Sequence, residues 1–127
     1  MEWNQVISCQ GRDIPVCLTA RQLGNDWVIT LAGGDISHIG TAVIAVPRPS
    51  LKNSSIISST SSVINLPGHK DEILCRKIAE QFCLKSGHTV LCTGGIHING
   101  ATETCIQSVS NCVMLLVEQA LKDIFHF

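Results

Sequence analysis

Tyrosine is missing from this chain, and two tryptophans with three phenylalanines bring the aromatic share to only 4%. None of these rings lies near the glycine-rich segments described below, so any planar ligand held there has to pack on aliphatic side chains. Charge is sparse as well, at 15%, and nine Lys+Arg against ten Asp+Glu give a formal charge of −1. Without a basic block to neutralise a run of phosphates, nucleic acid is excluded as a partner class. No apolar stretch approaches the ~18 residues of a membrane span; Ala42–Pro47 and Val113–Val117 are the longest clean runs. Met1-Glu2-Trp3-Asn4 carries no export signal and the last residues match no lipidation pattern, which points to the cytoplasm. The seven cysteines contain no Cys-x-x-Cys pair, so neither a disulfide framework nor a zinc ribbon fits, and buried thiols are expected.

What is present is apolar and short. With 127 residues, 45% of them hydrophobic, and a mean hydropathy of +0.28, the chain reads as one domain spanning 1–127 that folds and associates. The first half alternates in period two. Ile14, Val16, Leu18 and Ala20 share one strand face, and Trp27, Ile29 and Leu31 share another. Gly11-Arg12-Asp13 and Gly24-Asn25-Asp26 suit tight hairpins, so an antiparallel meander opens the chain. A fourth strand is expected at Thr41–Val46, ended by Pro47 and Pro49. Ser50–Ser62, with seven serines and a threonine, reads as a polar loop or a serine-rich edge strand.

The second half changes period. Leu74, Cys75, Ile78, Ala79, Phe82 and Cys83 recur at three and four, an amphipathic helix over Lys70–Lys85 that Ser86-Gly87 closes. A short buried strand at His88–Cys92 and a loop over Thr93–Gly100 follow. Thr102 then caps a long helix that turns Ile106, Val109, Val113, Leu116, Val117, Ala120, Leu121 and Ile124 inward. The pattern predicts an α+β fold: a mainly antiparallel β-sheet with two α-helices packed on one face.

Three segments set a histidine among glycines: Gly33–Gly40 with His38, Leu66–Asp71 with His69, and Gly94–Thr102 with His97. Glycine permits close backbone approach, and the last two segments run into predicted helices, whose N-terminal N–H groups suit a phosphate. Lys70 or Thr102 can add a side-chain donor there. Taken singly, such a loop is ordinarily a turn with a solvated histidine. Taken together, the three can meet at one rim of the sheet. His38, His69 and His97 could instead form a three-histidine site for a divalent metal, although their spacing matches no metal signature. Cys92, which could meet His97, is a weaker candidate nucleophile, and the carboxylates at Asp71-Glu72, Glu80, Glu118 and Asp123 read as solvated helix faces. Trp3 and Trp27 read as core or interface anchors.

In their order, Gly-Gly-x-x-x-His-Ile-Gly, Leu-Pro-Gly-His-Lys and Gly-Ile-His-x-x-x-Ala-Thr resemble the small D subunit of bacterial gallate decarboxylase and its LpdD-like relatives, a family of prenylated-flavin chaperones. The resemblance spans about residues 27 to 120. It implies a proteasome-assembly-chaperone-like fold, a homodimer, and a non-catalytic accessory protein. Such a protein would bind prenylated FMN, or FMN, and deliver or maintain it for a UbiD-type aromatic-acid (de)carboxylase. By position it implies His38, His69, Lys70, His97 and Thr102 as the ligand-facing set, with Gly34, Gly68 and Gly95 allowing approach. Without tyrosine, the ring would rest on Ile36, Ile39, Ile96 and Ile98. Two further readings stand beside it. One is a small metal-dependent enzyme; the other is a pure assembly protein that pairs through Ser50–Ser62 and the sheet edge.

Overall fold

The computed structural model describes residues 1–67 and 71–127. In chain order it has β1 (Glu2–Cys9), β2 (Arg12–Leu23), β3 (Asp26–Gly34), β4 (Ile36–Pro49), β5 (Ile57–Asn65), α1 (Glu72–Ser86), β6 (Val90–His97) and α2 (Glu103–Phe125). The strands form one sheet in the order β1-β2-β3-β6-β4-β5. Among the described residues only the β3–β6 pairing is parallel; the others are antiparallel. The α+β architecture matches the period change in the sequence: alternating residues make a one-sided sheet, and the three-and-four repeat makes the helices that cover it.

Both helices pack on the same sheet face. Leu18, Ile29, Leu31, Val43 and Val90 meet Ile78, Phe82, Val113 and Val117 in one core. Phe82 is fully buried, and the Phe125 ring packs edge-on against Trp27 and Phe82, with centroids 5.9 and 6.5 Å away. Trp3 and Trp27 are both core residues, as expected, and the Trp3 indole N–H donates to Asp123. Gly87 closes α1, its N–H donating to the Cys83 carbonyl.

Four local expectations change. Pro47 and Pro49 lie within β4 rather than beyond it. The β6 ladder on β4 ends at Ala45, so from Val46 onward that flank of β4 is an open edge, where a residue with no N–H costs nothing. The Ser50–Ser62 tract is divided, its second part forming β5 from Ile57 on. β6 starts two residues later than His88 and runs on to His97, through the segment expected as a loop. Its glycines are flanked by strands on both sides, and Gly94, at φ 134°, lies so close to the Leu31 backbone that a side chain has no room. Finally, Ile106 is half-exposed rather than inward.

One disulfide, Cys9–Cys105, was not anticipated. It joins the end of β1 to the first turn of α2 across 96 residues of sequence, with Cα atoms 5.7 Å apart. The other five cysteines are free, and four of those are buried, as expected.

Candidate functional site

β6 fills the slot between β3 and β4, so the chain leaving β3 has to turn past the end of β6. Gly34, at φ 78°, makes that turn against the His97 backbone, and the Asp35 N–H donates to the His97 carbonyl at 2.7 Å. The first and third glycine-histidine segments therefore meet. The His38 and His97 rings lie 6.4 Å apart, nearly perpendicular.

Asp71 brings in the second segment. It occupies the N-cap position of α1, yet its side chain makes no capping bond. One carboxylate oxygen instead accepts the Ile96 N–H of β6 at 3.1 Å. The other faces His38 Nε2 at 3.2 Å. Because a carboxylate only accepts, a hydrogen bond here has Nε2 as its donor. Gly95 makes the arrangement possible: a Cβ there would come within 2.6 Å of Asp71 Oδ2 and 2.8 Å of His38 Nε2. Asp71 is buried, which corrects its expected place on a solvated helix face. A buried carboxylate needs such partners, since leaving it unpaired is costly.

This dyad sits in a cleft of about 700 Å³ between α1, α2 and the end of the sheet. Ile73, Leu74, Ile96, Ile98, Ile106 and Met114 supply its apolar walls. His38, Asp71, His97, Lys77, Gln107 and Asn111 supply the polar groups. Outside the cleft, Arg12 bridges the Asp35 carboxylate at 2.8 Å and the Asn99 carbonyl at 3.2 Å. The Asn99 N–H donates to the same carboxylate at 2.8 Å, and the His97 Nε2 to Asn99 Oδ1 contact is 3.0 Å. The Asn99 N–H, and then Arg12, hold the Asp35 carboxyl below the usual carboxylate range.

Of the residues singled out in the sequence, His38, Gly34, Gly95 and His97 come together here. Gly68, His69 and Lys70 lie outside the described residues. Thr102 is the N-cap of α2, its hydroxyl accepting the Cys105 N–H at 3.2 Å, while its neighbours Ala101 and Glu103 line the cleft. Ile96 and Ile98 face the cleft; Ile36 and Ile39 are exposed and do not line it. Among the described residues no group of three or more His, Cys, Asp or Glu side chains could hold a metal. Cys92 is fully buried, and a hydrogen bond with Cys75, reinforced by burial, pushes its thiol well above the ordinary range. A thiol held protonated there is no nucleophile. Asp71 is the site residue that sequence reading missed; its position before a helix reads only as a cap or a surface charge.

Among the described residues no helix is long and apolar enough to cross a membrane. A search of curated proteins finds no match. Among solved structures, a chain from the crystal structure of a chaperone complex for yeast 20S proteasome assembly aligns with a TM-score of 0.50 and 7% identity, covering 92% of this chain and 98% of that one. That likeness shows the fold. The prenylated flavin chaperone LpdD-like domain matches residues 10–125, nearly the whole chain, and the protein belongs to that family.

Proposed function

We propose that the cleft holds prenylated FMN, and that the chain is a non-catalytic accessory protein delivering or maintaining this cofactor for a UbiD-type aromatic-acid (de)carboxylase. The observation that carries the reading is the Asp71–His38 dyad, set on the Ile96 N–H at one side of a cleft whose apolar walls are aliphatic. Its volume of about 700 Å³ falls inside the roughly 300–1,000 Å³ range of cofactor pockets. Aliphatic walls suit a fused ring bearing an extra hydrocarbon ring, and they accept it without aromatic stacking. His38 and His97 would address the polar edge of the flavin, and Lys77 is a cation within reach of an anionic tail. His69, Lys70 and Gly68 would complete the ligand-facing set, with Gly34 and Gly95 holding the backbone close.

Within the cleft His38 faces Asp71 and His97 contacts Asn99, contacts that would orient both rings toward a bound ligand. Anaerobic titration with prenylated FMN, followed by absorbance, tests the reading. Saturable binding at one equivalent is expected, with affinity falling about tenfold or more in His97→Ala, the effect of losing one polar contact. No binding by the wild-type protein, or unchanged affinity in His97→Ala, would overturn it. Restored activity of a co-purified UbiD-type enzyme tests the delivery step.

A further inference from the structure

Two clusters of buried side chains hold the fold, and they are unequal. The large one lies between the sheet and both helices and takes in Val109, Val113 and Val117 of α2. The small one consists of Cys9, Ile14 and Cys105, with Ile7, Ile98 and Ala101 packed against it. The Cys9–Cys105 disulfide is at its centre. Ile98 and Ala101 also line the cleft, as do Glu103 and Ile106, which bracket Cys105 in sequence. The connection from β6 to α2 therefore touches both the cleft and the disulfide. Two further ties fasten that connection to the β1–β2 turn: the Gln10 side-chain amide donates to the Gly100 carbonyl at 2.8 Å, and Arg12 donates to the Asn99 carbonyl at 3.2 Å. Both bonds are exposed, so water competes for them and the covalent tie carries the constraint. Cys75 and Cys92, by contrast, stay as hydrogen-bonded thiols buried in the large core.

We propose that the Cys9–Cys105 bond is a redox latch on the cleft wall: closed, it holds residues 98–106 in place and retains the ligand; opened by a dithiol reductant, it frees that segment and lets the ligand go. The identity of the ligand rests on the cofactor reading above; the latch itself does not. Cys9 is the point of attack, because it ends the edge strand β1 beside the exposed Gln10-Gly11 turn, where a sheet frays first. A thiolate of the reductant attacks the Cys9 sulfur, and Cys105 leaves as a thiolate that takes up a proton. The second thiol of the reductant then displaces Cys9, which is protonated in turn, and the reductant departs as a cyclic disulfide. Two electrons and two protons thus end on the pair. With the bond gone, the end of β1 and the first turn of α2 separate independently, so opening gains the chain entropy that the cross-link had removed. Val109, Val113 and Val117 remain in the large cluster and keep the rest of α2 on the sheet.

Amide hydrogen exchange read by mass spectrometry, on the full chain before and after treatment with dithiothreitol, tests the latch. Thiol labelling in denaturant should count five free cysteines before reduction and seven after. Exchange over residues 98–106 is expected to quicken about thirtyfold or more, the lower end of what removing a disulfide does, while β3 and β4 stay protected. Cys9→Ala/Cys105→Ala should reproduce the reduced pattern without reductant, its fold checked by circular dichroism. Anaerobically, prenylated FMN should leave the reduced protein about tenfold or more faster than the oxidised one. If neither form binds the flavin, the cofactor reading fails and exchange alone decides the latch. Seven free thiols before reduction, unchanged exchange over 98–106 once the bond is open, loss of protection throughout the sheet in the reduced protein or the double variant, or flavin held equally by both forms would each overturn the proposal.

Discussion

The two helices begin in contrasting ways. At α2, Thr102 accepts the Cys105 N–H and does what a threonine before a helix ordinarily does. At α1, Asp71 has the right chemistry for the same task, yet its carboxylate turns away to bridge the Ile96 N–H and His38. A capping residue drawn off its helix and buried against a histidine marks where local stability has given way to a tertiary arrangement. By this contrast the start of α1 is given over to the site and the start of α2 to its own helix, although α2 further along lines the cleft through Ile106, Gln107, Asn111 and Met114.

Breaking the dyad should have the largest effect. Asp71→Ala leaves the half-buried Ile96 N–H without this acceptor and removes one contact of His38. A stability loss of about 1–3 kcal/mol is expected, together with at least about a tenfold loss of flavin affinity. Thermal melts and anaerobic titration read the two effects separately; wild-type affinity in a folded Asp71→Ala protein would remove α1 from the site. Thr102→Ala sharpens the contrast from the other side. It should lower stability by about 1 kcal/mol, as cap losses do, with affinity within about threefold of wild type.

The smallest expected effect concerns Asp35, whose carboxyl is held below its ordinary range first by the Asn99 N–H and then by Arg12. A depressed folded value means that the ionised group stabilises the fold in full above the unfolded value of about 3.9. That contribution is lost as pH falls through the folded value. The difference in melting temperature between wild type and Asp35→Asn should therefore be constant at neutral pH and shrink only in acid below about pH 4. A difference that vanished near neutral pH would refute this role.

Much of this was legible from residue order. Period-two and period-three-to-four stretches placed the sheet and both helices, because burial imposes those repeats whatever the topology. Glycine-histidine segments located the cleft because a chain turning past a crowded strand end requires glycine, as Gly34 does against His97. Asp71 was not legible: nothing local distinguishes a carboxylate that caps from one that reaches across to another strand. β6 was cut short for a related reason. Its paired glycines look like a turn until neighbours on both flanks hold them extended. The Cys9–Cys105 bridge spans 96 residues, and no spacing rule pairs partners so far apart.

The position of β6 has one more consequence. The last strand to be synthesised is the one that joins β3 to β4, so a nascent chain that stops short of it holds two separate ribbons, β1-β2-β3 and β4-β5. Neither ribbon alone can offer the Ile96 amide or the Gly95 gap on which Asp71 and His38 converge. The cleft is therefore a product of the closing event in folding and exists only once β6 has joined the two ribbons.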